Sequence, residues 1–180
     1  MAEFRWWAVP TLHFLLYILL LLSTGIFIMT DSIRFLETRE LLSNFIEDYL
    51  VVCPNCGNCA QVIPLDRDRQ NQFDPRRVIC QSCSYSKDWQ GSSMGIGSAH
   101  DGYFNLPLWL QIEVGDRLLW FHNLRHLQYI EAFVSATLRE RRTDIHGCRN
   151  ASVISRLPNW VKAAKNRKHI LKAIDRIKQK

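Results

Sequence analysis

Residues 53–83, which read CPNCGNCAQVIPLDRDRQNQFDPRRVICQSC, decide the fold of this chain. They contain two C-x-x-C motifs, Cys53 with Cys56 and Cys80 with Cys83, separated by 23 residues. Each C-x-x-C turn directs two sulfur atoms to one side of a tight turn. The two motifs therefore supply four thiolates, a ligand set that suits tetrahedral Zn²⁺.

Hydrophobic residues typical of β-strands flank both motifs, with Val51 and Val52 before the first and Val78 and Ile79 before the second. We therefore predict a β zinc ribbon over 51–90 that holds one structural Zn²⁺. Four thiolates leave no coordination position for water, which argues against a catalytic metal. A set of disulfides is the other alternative, and a reducing compartment disfavours it.

Two further cysteines stand outside the motifs. Cys59 lies close enough in sequence to exchange with Cys56 as a ligand, and Cys148 is expected to be a small free side chain. A reactive thiol at Cys148 is the alternative.

The composition is that of a globular protein and excludes a large multidomain enzyme. The chain has 180 residues, of which 47% are hydrophobic and 22% are charged. It contains no G-x-S-x-G motif, no glycine-rich phosphate loop and no His-Glu metal helix. We therefore expect a protein that is not an enzyme.

Upstream of the ribbon, residues 6–29 carry no charged side chain and read WWAVPTLHFLLYILLLLSTGIFIM. A helix of this length spans about 36 Å, enough to cross a hydrocarbon core of about 30 Å. A cleaved signal peptide is the alternative, but the apolar stretch is long for one and no A-x-A-like site follows. The sequence predicts a transmembrane anchor at 1–30.

The side of the membrane on which the C-terminal part lies is predicted from the charge around the apolar segment and from the chemistry of the cysteines. Arg34 and Arg39 follow the apolar segment, whereas only Arg5 precedes it, and basic residues favour the cytoplasmic side. Unpaired thiolates also require a reducing compartment. We therefore expect a single-pass protein whose C-terminal part is cytoplasmic.

Residues 31–50 show apolar side chains at helical spacing, among them Phe35, Leu42 and Phe45, with no Pro or Gly between them. This pattern predicts an amphipathic stalk helix over 31–50. Its apolar face is expected to pack on the rest of the protein or, alternatively, to pair with another copy.

Residues 91–180 predict a small α+β domain with a basic C-terminal helix. LWLQIEV at 108–114 alternates, Gly115–Asp116 suits a two-residue turn, and RLLWF follows, which indicates a β-hairpin. Asn123 is placed to cap a helix that runs to about Arg142, and a second helix is expected from about Pro158 to the end. The predicted fold class is α+β: a transmembrane helix, a β zinc ribbon, then a β-hairpin and two helices.

His122 and His126 lie four residues apart and could hold a metal on one helical face. No obvious third ligand accompanies them. We expect histidines with satisfied hydrogen bonds, at the surface or in the core.

Positive charge is concentrated at the C-terminus. Residues 139–180 contain 13 Lys or Arg against 3 Asp or Glu, a net charge of +10, whereas the whole chain carries +6. Such a block suits the phosphates of nucleic acid or of anionic lipid, and a solvated face without a ligand is the third alternative. The candidate residues for binding nucleic acid or another partner are Arg141, Arg142, Lys162, Lys165, Arg167, Lys168 and Lys172.

Several segments resemble bacterial proteins described as containing a transcription factor IIB-type zinc ribbon. They are CPNC at 53–56, RVICQSCSYSKDW at 77–89, YFNLPLWLQ at 103–111, LWFHNLRHLQYIEAFVSATLRER at 119–141 and SRLPNWVKAAKNRKHILKAI at 155–174. The specific helix positions are Asn123, His126, Leu127, Tyr129 and Arg139. The resemblance covers about residues 51–180 and implies the ribbon fold, a bacterial inner membrane for the anchor, and the zinc ligands Cys53, Cys56, Cys80 and Cys83. Because members of this family are largely uncharacterised, it implies no activity, and the membrane segment departs from its soluble members.

By analogy, a zinc ribbon fused to a membrane anchor is similar to membrane effectors of anti-phage systems, including those paired with retrons. The first functional hypothesis is a toxic effector that a nucleoprotein partner, for example a reverse transcriptase with its RNA or DNA, holds inactive. Release would let the membrane helices assemble as a homo-oligomer and disrupt the membrane. The alternatives are a membrane-tethered adaptor for nucleic acid or protein, and a cryptic enzyme using His122, His126 or Cys148. The first two hypotheses need no small-molecule substrate.

Overall fold

The computed structural model describes residues 32–66, 71–89, 95, 97–141 and 151–180, and these residues have a mixed α+β fold. The strands are β1 (Arg34–Glu37), β2 (Tyr49–Val52), β3 (Cys59–Pro64), β4 (Arg76–Ile79), β5 (Ser86–Trp89), β6 (Leu110–Val114), β7 (Arg117–Phe121) and β8 (Leu138–Arg141). The helices are α1 (Leu124–Ser135), α2 (Val153–Arg156), α3 (Asn159–Lys162) and α4 (Arg167–Lys178), with 3₁₀ turns at Leu42–Phe45 and Ala164–Asn166. The predicted α+β class is confirmed at this level, and the predicted transmembrane helix at 1–30 lies outside the described residues.

Strands β2 to β5 form an antiparallel meander in sequence order, which confirms the strands expected around the cysteine motifs. Side chains alternate between buried and half-buried along β2 and β4, as expected for a sheet with one face in a core. Val51, Val62 and Val78 are fully buried on that face. The motifs follow directly where β2 ends at Val52 and where β4 ends at Ile79.

The hairpin and the cap of the following helix are also confirmed. Strands β6 and β7 pair around Gly115, whose φ of 65° fits the left-handed conformation that a two-residue turn requires. The side chain of Asn123 accepts a hydrogen bond from the His126 backbone N–H at 2.9 Å and begins α1. The face of α1 that carries Leu127, Ile130 and Val134 is buried.

The predicted helix over 31–50 is wrong. Residues 34–37 form β1, which pairs in parallel with β8, and a 3₁₀ turn leads from there into β2. Arg39 has a φ of 59°, and a right-handed helix cannot continue through a left-handed residue. The apolar spacing is real, because Phe35 and Phe45 are buried, but pairing with distant strands overrides helical propensity.

The C-terminal helices are shorter than predicted. Helix α1 ends at Ser135 rather than near Arg142, because Ala136 turns to extended backbone and Leu138 enters β8. The helix predicted from about Pro158 to the end is interrupted at Ala163, whose ψ of 124° ends α3 before α4 begins. Helix α2, capped by the side chain of Ser152, was not predicted.

Two adjoining apolar clusters hold the described residues together. One packs α1, α4 and the hairpin around Leu127, Ile170 and Ile174, and the other lies under the ribbon sheet. Leu50 joins them through its backbone, since its N–H donates to the His122 carbonyl and its carbonyl accepts from the Trp109 N–H, both at 2.8 Å. Residues from Ser32 to Lys180 accordingly belong to one compact unit.

Candidate metal centre and cationic face

The two cysteine motifs form the same backbone turn. In each, the N–H of the first cysteine donates to the carbonyl five residues later, Cys53 to Asn58 and Cys80 to Tyr85, both at 2.8 Å. In each, the residue after the second cysteine, Gly57 or Ser84, has a left-handed backbone conformation. The local sequence therefore builds two equivalent turns, and the pairing of β3 with β4 brings them together.

The four sulfur atoms converge on one point. All four lie within 4.8 Å of one another, with 3.6 Å between Sγ of Cys53 and Cys83 and 3.6 Å between Sγ of Cys56 and Cys80. A tetrahedral Zn²⁺ with Zn–S bonds of about 2.3 Å requires sulfur atoms about 3.8 Å apart. The predicted ligand set is thus brought together, and its geometry can hold a metal ion and is compatible with zinc.

The shift in pKa differs within the four-sulfur group, since that of Cys56 is raised to about 12 whereas the surroundings of Cys83 favour its thiolate. The Asn55 backbone N–H lies 3.4 Å from Cys53 Sγ, in position to donate to it. The side chain of Asn55 and the backbone at Tyr85 hydrogen-bond to Cys83, which lowers the pKa of its thiol to about 6. Because metals bind the thiolate form, these donors prepare the site for a cation. Cys53 and Cys80 are buried, whereas Cys56 is exposed at the rim.

Cys59 is not a member of the four-sulfur group. Its thiol lies 3.9 Å from the Ala60 carbonyl, and burial, together with the nearby Cys80, raises its pKa. The expected exchange between Cys59 and Cys56 thus finds no support in this arrangement. Cys148 lies outside the described residues.

His122 and His126 are buried core residues. Among the described residues the four cysteines form the one cluster suited to a metal ion, and neither histidine belongs to it. His126 Nδ1 accepts from the His122 backbone N–H at 3.3 Å, but both ring nitrogens of His122 are buried without a hydrogen-bond partner. The expectation of satisfied hydrogen bonds is therefore confirmed for His126, whereas at His122 the Phe45 backbone is the polar group that acts on the ring. Burial lowers the pKa of His122 to about 4 and that of His126 to about 3.

The predicted basic residues divide into two groups. Lys162 Nζ donates to the Ser155 carbonyl at 3.1 Å, and Arg167 Nη2 donates to the Ala136 carbonyl at 2.7 Å, so both support the fold. Lys165, Lys168 and Lys172 are exposed. The Arg141 side chain and Arg142 lie outside the described residues.

The exposed group continues along α4 to Arg176, which sequence reasoning missed. Lys168, Lys172 and Arg176 are four residues apart, opposite the buried Ile170 and Ile174. We call Lys165, Lys168, Lys172 and Arg176 the cationic face. Among the described residues none of its side chains forms a salt bridge, and Asp175 is the acidic residue beside it. Basic residues recur every four positions along the last helix, and this spacing could have identified Arg176 from the sequence.

The positions that carry the family resemblance have structural roles here. Asn123 caps α1 and also donates to the Phe45 and Asp48 carbonyls, at 3.0 and 3.1 Å. Leu127 is fully buried, and Arg139 donates to backbone carbonyls at the end of α1. These roles concern the fold and do not indicate a reaction.

Comparison with known protein families, with curated proteins and with solved structures finds no match to this chain. Within the part of the chain that the structure describes, no helix combines the length and the apolar character needed to cross a bilayer.

Proposed function

We propose that this chain is a non-enzymatic, membrane-anchored zinc-ribbon protein that holds a nucleic acid or nucleoprotein at the bacterial inner membrane. The cationic face of α4 carries this proposal. Lys168, Lys172 and Arg176 are exposed at helical spacing on α4, whose opposite side is firmly packed, and Lys165 is exposed in the 3₁₀ turn just before it. None of the four side chains forms a salt bridge among the described residues. A rigid row of Lys and Arg suits the phosphate backbone.

The metal centre supports a structural role for zinc. Four cysteines fill a tetrahedral shell, so that a bound Zn²⁺ would have no position for water or substrate. Cys53 and Cys80 lie in the apolar cluster under the ribbon, which links metal binding to folding of the sheet. The ion would supply folding energy rather than a reactive centre.

The membrane part of the proposal rests on residues 6–29. Their sequence carries no charged side chain, is long enough to span a bilayer and ends a few residues before β1. Anchoring would place any nucleic acid bound by α4 at the membrane surface.

Binding can be measured with the full chain in nanodiscs of zwitterionic lipid, using labelled single-stranded and double-stranded DNA and RNA over a range of salt. Lys168→Glu with Lys172→Glu should lower affinity at least tenfold and reduce the slope of log K against log salt by about 2. The matched control is Lys87→Glu with Arg156→Glu, an equal charge change at two exposed residues of other elements, β5 and α2. Equal losses in both variants, or no binding by the parent protein, would refute this function. Lys162 and Arg167 are left intact because they support the fold.

The apolar segment at 6–29 also favours a second candidate, the toxic membrane effector of an anti-phage system. In this function a nucleoprotein on the cationic face restrains the protein, and release allows the membrane helices to assemble. Expression of the full chain without a partner should then depolarise cells. An unchanged membrane potential, with insertion confirmed, would contradict the effector function. The first candidate, which holds a nucleic acid or nucleoprotein at the membrane, would then remain.

A further inference from the structure

The outer side of the parallel pair of β1 and β8 exposes two leucines beside an ion pair. Arg34 pairs with Leu138 and Leu36 with Glu140, so these four side chains share one side of the pair. Leu36 is 52% exposed and Leu138 is 39% exposed. We call this surface, formed by Arg34, Leu36, Leu138 and Glu140, the β1–β8 outer face.

An uncovered parallel pair is unusual. Parallel strands occur almost entirely with both faces buried. The inner side of this pair is covered, since the Phe35 ring packs at 5.4 Å from Tyr129 and 5.5 Å from Phe133 of α1. Within the described residues no element covers the outer side. The exposed leucines are therefore available to pack against another apolar surface.

The chain itself limits how far this face can be from a membrane. The carbonyl of Ile33 accepts from the backbone N–H groups of Thr137 and Leu138, at 2.9 and 3.2 Å, which fixes Ile33 at the start of the strand pair. Ile33 follows Met29, the end of the apolar segment, by four residues, and four residues reach about 14 Å at most. Headgroup layers extend about 5–7 Å beyond the hydrocarbon on each side. With residues 6–29 in a bilayer, as proposed above, the length of the connecting chain would therefore keep the start of the strand pair within about 14 Å of the end of the apolar segment.

We propose that the β1–β8 outer face docks on the interfacial layer of the bilayer in which residues 6–29 are anchored. This inference rests on the membrane anchor of the proposed function. Leu36 and Leu138 contact lipid, and Arg34 extends its guanidinium to the phosphate level while its stem covers apolar surface. Arg34 already lies 3.6 Å from Glu140, so the face has no net charge and its docking does not depend on anionic lipid.

The experiment uses the full chain in nanodiscs, with the photo-crosslinker benzoylphenylalanine in place of Leu36 or of Leu138. The control positions are Leu65 and Leu118, each 43% exposed, which belong to other surfaces. Zinc content is measured for every variant, so that only folded protein is compared. Mass spectrometry should find lipid adducts several-fold more often from positions 36 and 138 than from the controls, in zwitterionic and anionic discs alike.

Three results would overturn the inference. Equal adduct yields at all four positions would show that the leucines do not face lipid. Adducts between two protein chains in place of lipid adducts would identify a second copy as the occupant. A chain that leaves the nanodisc during size exclusion would refute both this inference and the anchor of the proposed function, whereas the first two results leave the anchor intact.

Discussion

Gly57 and Ser84 adopt the same left-handed backbone conformation at equivalent positions of the two cysteine turns. Their φ angles are 74° and 59°, and each directly follows the second cysteine of its motif. The two turns are therefore copies of one local structure, although one uses a glycine and the other a residue with a side chain.

This equivalence predicts different responses to substitution. A Cβ at Gly57 would meet no atom within 4 Å, so Gly57→Ala should cost only the backbone penalty, about 1–2 kcal/mol. Ser84→Gly relieves a similar penalty, but the greater conformational entropy of the unfolded chain offsets about 0.4–1 kcal/mol of it, so the free energy of unfolding should stay the same or rise by up to about 1.6 kcal/mol. Denaturant unfolding of the zinc-loaded protein measures both. A larger loss for Ser84→Gly than for Gly57→Ala would contradict the shared conformation.

The cysteines allow a matched pair of variants. Cys56→Ser removes one member of the four-sulfur group, whereas Cys59→Ser makes the same atomic change three residues away and outside the group. Zinc measured after dialysis should fall well below one ion per chain for Cys56→Ser and stay at one for Cys59→Ser. Equal zinc content in the two variants would show that the ligand assignment is incorrect.

The buried histidines predict that stability falls in mild acid. Folded pKa values of about 4 for His122 and about 3 for His126 lie below the unfolded value of 6.5, so at pH 5.5 only the unfolded chain binds these protons. Each histidine then lowers the free energy of unfolding by about 1.4 kcal/mol relative to pH 7.5.

His122→Phe tests this directly, because the ring nitrogens of His122 form no hydrogen bond of ordinary geometry and only the Phe45 backbone acts on the ring. The phenyl ring would occupy the place between Tyr49 and Trp120, whose rings lie 4.7 and 5.3 Å from the histidine ring. The variant should be at least as stable as the parent at pH 7.5 and should lose less stability at pH 5.5. A parent and a variant with identical pH dependence would count against neutral burial of His122.

Arg139 is predicted to stabilise the junction between α1 and α3. Its guanidinium donates to the Phe133 carbonyl at 3.0 Å and to the Lys162 carbonyl at 2.7 Å, and it lies 4.1 Å from the centre of the Phe133 ring. Lysine cannot reproduce this planar set of donors, so Arg139→Lys should cost about 2 kcal/mol. Arg156→Lys, at an exposed position, serves as the control in thermal unfolding and should change stability by less than about 0.5 kcal/mol. Equal melting temperatures for the two variants would argue against this role.

The parts of the fold that sequence predicts are those set by neighbouring residues. The C-x-x-C turns, the hairpin around Gly115 and the cap at Asn123 each depend on a few consecutive residues, and each is found. The four cysteines that come together could be named because metal geometry requires that spacing.

The parts that sequence missed depend on distant partners. Strand β1 pairs with β8, about a hundred residues later, and no local signal at Phe35 reveals that partner. In the same way, the sequence predicts that Lys162 and Arg167 belong to a basic surface, but their side chains donate to backbone carbonyls of other segments. Charge pattern located the cationic face, whereas only tertiary structure separates its exposed members from those that hold the fold.

The coordination of the metal most directly tests whether the four cysteines form a closed structural centre, which is the central claim about this fold. X-ray absorption at the zinc edge should show one Zn²⁺ per chain surrounded by four sulfur atoms at about 2.3 Å, with no oxygen or nitrogen neighbour. A shell that contains an oxygen or nitrogen atom, or a folded protein without zinc, would contradict a closed structural centre.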